Sequence, residues 1–223
     1  MEKKYRLTDE TIKFNGVKLY RIEALKDFGV VKKGDRGGFV QSEKNLSHYG
    51  NCWIDDNAKA YGNSFVTENA VLLDLAQICD DAIATGSSRI FNCACVYQKA
   101  LIRNYAIICN NAFVGGNAAV VGEAKVTEFS KVEGSSIVNG HAEISGAIIR
   151  SSSDYIVFKN WWSSLRHFTW TRSNNMWKVG CFYGTGEELI EKAYKDSELS
   201  GREYKRVVEY VESILRDEKL KKN

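Results

Sequence analysis

Between Tyr49 and Ile144 a six-residue pattern recurs sixteen times without an insertion. Every sixth residue from Ile54 to Ile144 is apolar; only Ala60 and Ala84 depart from Ile, Leu or Val. Two residues before each stands a second column, from Cys52 to Ala142, that holds only Ala, Ser or Cys. An amphipathic helix repeats its apolar face every 3.6 residues and a plain strand every 2. A period of six with an inner pair two apart instead requires short strands separated by corners. The chain should therefore wind as a parallel β-helix, with the large aliphatic filling the interior and the small residue fitting beside it at the bend. Pairs such as Gly62-Asn63, Gly116-Asn117 and Gly140-His141 supply the corners, where positive φ is needed.

These residues resemble the hexapeptide repeat of left-handed β-helix proteins, in which three hexads make one triangular coil. The resemblance covers roughly 96 of the 223 residues. It implies a mainly β fold: a left-handed parallel β-helix of about five coils over 49–150, preceded by a hairpin cap over 1–48 and followed by a small α+β module over 151–223. Enzymes of that superfamily place Gly directly after the aliphatic residue, whereas here Gly or Asp comes one position later. That spacing is similar to the Gly-Asn-Ala-x-Val repeats of phage, prophage and bacterial hexapeptide-repeat proteins. The opening from Gly34 to Asn51 and the stretch Val179 to Thr185 resemble segments of the same proteins.

Positions 18 apart should stack at about 4.8 Å. The outward position before each core aliphatic then reads Phe65, Ile83, Leu101, Ala119, Ile137 on one face, all apolar. Such a ladder is too large to leave in water. Sister subunits or the chain's own C-terminal helix could cover it; closed symmetry and the homotrimers usual for the resembled proteins favour subunits.

Before the repeat, Ile12 to Leu19 alternates around Asn15-Gly16, a strong hairpin signal. Lys33 to Val40 is glycine-rich, but its spacing matches no phosphate-binding fingerprint and reads as a turn closing the first coil. With no apolar run long enough to span a bilayer and no signal peptide, the expectation is a cytoplasmic protein, in the host cytoplasm if phage encoded, with no membrane partner. The six cysteines show no CxxC spacing and no two repeat cysteines are 18 apart, which argues against disulfides and zinc. Cys93 and Cys95 flank the inward Ala94 and should point outward as candidate reactive thiols. The repeat itself carries 7 basic and 10 acidic residues between Tyr49 and Arg150, without the basic stripe that nucleic acid requires.

Two regions carry candidate chemistry. His141 stacks one coil above Glu123 and two above Tyr105, so the carboxylate could orient the imidazole as a general base, the role a histidine plays in the superfamily's acyltransferases. With only His48, His141 and His167, the chain lacks the three-histidine zinc set of the superfamily's carbonic anhydrases. The second region, 155–183, holds nine aromatic residues interleaved with cations. Trp161, Trp162, Arg166, His167, Trp170, Arg172 and Lys178 could stack on and pair with a nucleotide or another anionic ligand. The same aromatics could instead form a small core, with Phe168, Trp170, Trp177 and Val179 on the apolar side of a hairpin turning at Ser173-Asn174-Asn175. Two helices should follow, opened by capping boxes at Thr185 to Glu188 and Ser200 to Glu203, and ending in a charged tail from Arg216 to Asn223.

Three functional classes fit. The first is a non-enzymatic trimeric binding protein, phage or prophage encoded, acting in counter-defence by binding a host immune protein or sequestering a nucleotide signal. The second is an acyl-CoA-dependent transferase with His141 and Glu123. The third is a structural or assembly protein. No cofactor or metal is expected.

Overall fold

The computed structural model describes residues 2–220; residues 221–223 of the charged tail lie outside the described residues. The chain divides into two compact units, Met1–Asp154 and Tyr155–Asn223.

The first unit is a parallel β-solenoid of about 6 turns. Its rungs are mostly two residues long and alternate with turns, one outward side chain followed by one core aliphatic, as at Phe65–Val66 and Ile83–Ala84. Rungs three hexads apart pair in parallel, Val71 with Arg89 and Arg89 with Ile107. The core column from Ile54 to Ile144 and the small column from Cys52 to Ala142 are buried.

Each corner turns on a residue two positions after the core aliphatic. Gly62, Gly86 and Gly116 occupy it with φ of 68, 69 and 70°, and Asp74, Asp80 and Asn92 occupy it with φ of 58, 57 and 56°. The amide of this left-handed residue points away from the inter-coil ladder and needs another acceptor. The side chain one coil below provides it: Gln98 N donates to Asp80 Oδ2 at 2.8 Å and Gly86 N to Glu68 Oε2 at 2.7 Å. This explains how Glu68 and Gln98 are accommodated at φ of 58 and 56° despite the usual preference for Gly or Asn.

The solenoid extends beyond the sixteen hexads at both ends, which is why it exceeds the five coils expected. Strand β3 (Arg36–Val40) pairs in parallel with Lys59-Ala60, and Leu46 bridges Val66, in each case two positions beyond the three-hexad spacing. At the far end Val132 pairs with Ile149, one position short of that spacing. An irregular first coil and a shortened last one hide both from a strict period of six.

Strands β1 (Tyr5–Phe14) and β2 (Val17–Ala24) form the expected hairpin around Asn15-Gly16, and β2 pairs antiparallel with β3, so the hairpin prolongs one solenoid face. Lys4 and Tyr5 satisfy carbonyls at the open end. Tyr5 Oη donates to Leu46 O at 2.8 Å, and Lys4 Nζ donates to Cys52 O at 2.8 Å. Gly37 and Gly38 lie in β3 against the first coil, where an added Cβ would come within 2.5 Å of Ile54 O and 2.4 Å of Ala58 O. The glycine-rich stretch is thus a packing device.

The second unit is a four-stranded antiparallel sheet with two helices. The expected hairpin is present, His167–Thr171 against Met176–Val179, flanked by Tyr155–Lys159 and Phe182–Gly184. Helix α1 (Gly186–Asp196) begins at the expected Thr185–Glu188 capping box. Helix α2 (Glu198–Leu220) starts before Ser200, which lies within it. Ser197 Oγ instead accepts from Ser200 N at 3.1 Å, so the cap stands three residues earlier than the Ser200-Glu203 pattern suggests. Among the described residues no helix is long and apolar enough to cross a membrane.

Candidate functional site

The apolar column lies where the three-hexad stacking puts it. Phe65 pairs with Ile83, Ile83 with Leu101, Leu101 with Ala119, and Ala119 with Ile137. Phe65, Ile83 and Ile137 are 36, 39 and 46% exposed, and Leu101 and Ala119 are half-buried between them. One flat sheet therefore presents five consecutive apolar rows.

His141 and Glu123 also meet: Nδ1 and Oε2 are 3.3 Å apart. Both side chains are well exposed, 47 and 64%, and Tyr105 below them is 66% exposed. The pair occupies an open, solvent-exposed corner.

The aromatic residues of the second unit separate into core and surface. Trp170 is fully buried, its Nε1 donating to Asn175 Oδ1 at 2.9 Å, and it joins Phe168, Trp177, Leu189 and Val208 in one core. Trp162 is half-buried with its ring edge-on to Tyr204 at 4.9 Å. Arg172 is paired with Glu218 at 2.5 Å, and Lys178 is half-buried. Trp161 and Arg166 are exposed; Arg166 and the half-buried His167 line a small pocket of about 230 Å³ with Asn160, Phe168 and Cys181. The seven residues thus do not form one surface.

A further site lies on the solenoid face that begins at β3. An open groove of about 580 Å³ is lined by Cys79, Asp80, Cys95, Tyr97, Phe113 and Lys131. Cys79 and Cys95 line it together, and Tyr61, from the coil below, donates to Gln77 Oε1. No two cysteines are 18 apart, yet these two line one groove. Cys95 pairs with Gln77, so Cys79 is its diagonal neighbour, two residues along the adjacent rung, and both point outward. Straight stacking alone misses a spacing of 16, whereas diagonal neighbours across a sheet remain within reach.

The titrating groups here are shifted by burial and by one another. The Tyr61 hydroxyl accepts a hydrogen bond from Asn15 Nδ2 at 3.3 Å and donates to Gln77 Oε1 at 3.5 Å. The neighbouring Cys95 thiol holds that of Cys79 below the ordinary value, against the opposing effect of burial. Cys95 is pushed up by the neighbouring Cys79 and by burial, and burial drives Tyr61 up to about 12. Lys131, at the far end, pairs with Glu133 at 3.1 Å. Of the two thiols predicted to point outward, Cys93 is exposed and the half-buried Cys95 lines this groove.

Among the described residues no group of three His, Cys, Asp or Glu side chains is placed to hold a metal ion. No protein-family model matches the chain, and no curated protein matches it.

Proposed function

We propose that this chain is a non-enzymatic binding protein that self-associates through the apolar face of a left-handed coil and offers its remaining faces to a ligand. The observation that carries the reading is the unbroken column Phe65, Ile83, Leu101, Ala119, Ile137. Five apolar rows on a flat sheet, about 19 Å from first to last at the strand spacing, form a surface whose natural complement is an equally flat and regular one. A copy of the same face supplies it, and rotational symmetry closes the assembly without leaving a free apolar edge. A homotrimer is the assembly proposed. The repeat's likeness to phage and prophage proteins extends the reading to a host protein or a small anionic ligand such as a nucleotide, and to counter-defence.

Sedimentation of the wild type and of a Leu101→Glu variant tests self-association. The wild type should sediment as a trimer and the variant as a monomer with unchanged circular dichroism, because a carboxylate buried at the centre of the column would lack a partner. A wild-type monomer, or a variant trimer as stable as the wild type, would refute the proposal. A second reading, an acyl-CoA-dependent transferase, draws on the 3.3 Å contact of His141 with Glu123. Acyl transfer abolished in His141→Ala would favour it.

A further inference from the structure

We propose that the pocket beside Arg166 in the second unit binds a small apolar monocarboxylate, with the carboxylate held between the Arg166 guanidinium and the Tyr204 hydroxyl. The inference rests on the anionic-ligand part of the reading above and gives it a site and a chemical class; the apolar column belongs to the other unit. The first support is a donor without an acceptor. Tyr204 is 7% exposed, and its hydroxyl accepts from Asn160 Nδ2 at 2.9 Å but donates to nothing among the described residues. Burial raises its pKa, so the hydroxyl keeps its proton at neutral pH. The ring is held edge-on by Trp162 at 4.9 Å and Phe168 at 5.3 Å, which fixes the position of the oxygen. A buried donor of this kind is costly to leave unpaired, and the pocket that Tyr204 lines is where an acceptor can enter.

The second support is a cation without a counter-ion. Asn160 N donates to Arg166 O at 2.8 Å, and Asn160 Oδ1 accepts from Ser163 N at 2.9 Å. One buried asparagine thus ties down both the loop that ends at Arg166 and the hydroxyl of Tyr204. The Arg166 guanidinium itself makes no ion pair or hydrogen bond among the described residues. Its planar fork matches a carboxylate through two parallel N–H donors. No residue lining the pocket is acidic, and Asp196 acts on Tyr204 from outside that lining.

The rest of the wall selects the ligand. Phe168 and Val179 give the pocket an apolar side. Its volume of about 230 Å³ lies below the roughly 300–1,000 Å³ of pockets that enclose drug-sized ligands, so it suits a compact molecule such as benzoate rather than a nucleotide. One permanent cation balances one negative charge. A phosphate monoester carries about −1.5 to −2 at neutral pH and would leave charge uncompensated. Cys181, exposed and part of the same lining, supplies a reporter of occupancy.

The test titrates the full chain with benzoate by calorimetry near neutral pH, beside benzamide as its uncharged isostere and phenyl phosphate as a more highly charged anion. Benzoate should bind about tenfold more tightly than either. Arg166→Gln should weaken benzoate by about tenfold or more, Arg166→Lys by less, and Tyr204→Phe by about tenfold with circular dichroism unchanged. Because Tyr204→Phe also removes an acceptor from Asn160, a second measurement uses the wild type alone. Benzoate should slow alkylation of Cys181 by iodoacetamide and leave that of the exposed Cys93 unchanged. Benzoate bound equally by Arg166→Gln and wild type, or an unchanged Cys181 rate, would overturn the site. Phenyl phosphate bound more tightly than benzoate would overturn the carboxylate class and leave the anionic-ligand reading standing. Failure of both anions to bind would overturn the two together, whereas the sedimentation result bears on self-association alone.

Discussion

The small column of the solenoid contains serines among its alanines, and their hydroxyls differ in what they find. Ser64 and Ser130 donate to the carbonyls of Ile78 and Ile144, each at 3.2 Å, and Ser136 to that of Glu133 at 2.8 Å. Ser88 is equally buried, but its hydroxyl has no partner among the described residues. A buried hydroxyl without a hydrogen bond costs about 1–3 kcal/mol, and alanine fills the same position in most coils. Ser88→Ala should therefore stabilise the protein by about 1 kcal/mol, seen as a higher urea midpoint; a lower midpoint would show that the hydroxyl is satisfied. His48 gives a pH-dependent counterpart. It stacks on Tyr5 at 4.4 Å and its Nδ1 accepts from Lys4 N at 3.2 Å. Burial lowers its pKa against the opposing pull of Glu43. The unfolded chain thus takes up a proton first as pH falls through 6.5, so stability present at neutral pH is lost on acidification. Between about pH 7.5 and 5.5 the wild-type urea midpoint should fall more than that of His48→Gln, and equal falls would contradict the assignment. At this scale the repeat was highly legible: Gly, Asp and Asn marked the corners. Glu68 and Gln98 did not, because what makes them tolerable is an amide one full coil further on.

At the scale of elements, legibility depended on whether a pattern was local. The hairpin at Asn15-Gly16, the hairpin at Ser173 to Asn175 and the Thr185 cap each rest on turn or cap chemistry written within a few residues, and each formed. Helix α2 starts earlier than its sequence suggests because Ser200-Gly201-Arg202-Glu203 satisfies the capping pattern while Ser197 performs the capping. The closeness of Cys79 and Cys95 on one groove is hidden for a different reason, since it depends on the diagonal of a parallel sheet. Thr185 offers a direct test of the second unit. Its hydroxyl accepts from Glu188 N at 3.3 Å while Glu188 Oε2 accepts from Thr185 N at 2.8 Å. Thr185→Ala should destabilise that unit by about 1 kcal/mol. Tryptophan fluorescence would report the change, because Trp170 and Trp177 lie in the core that α1 helps to form. An unchanged transition would mean that the cap contributes nothing to the unit.

For the whole molecule, the period of six settled the parallel solenoid but understated its length, since the first coil is longer than three hexads and the last one shorter. Where the candidate chemistry lies was less legible. His141 and Glu123 meet as the stacking requires, but on an open corner. Trp170, which could have stacked on a ligand, is in a core, while Trp161 remains exposed. An aromatic residue beside a cation reads the same in sequence whether it packs inward or outward; only the sheet's pairing decides. The central claim, a self-associating binding protein, depends on the apolar face being covered by copies of itself. Native mass spectrometry of the freshly purified protein, repeated after denaturation, tests it most directly. One species of three times the 25.1 kDa chain mass should appear, with any captured ligand released as a small mass on denaturation. A single chain at 25.1 kDa under native conditions would contradict the account, leaving the column from Phe65 to Ile137 without the partner proposed for it.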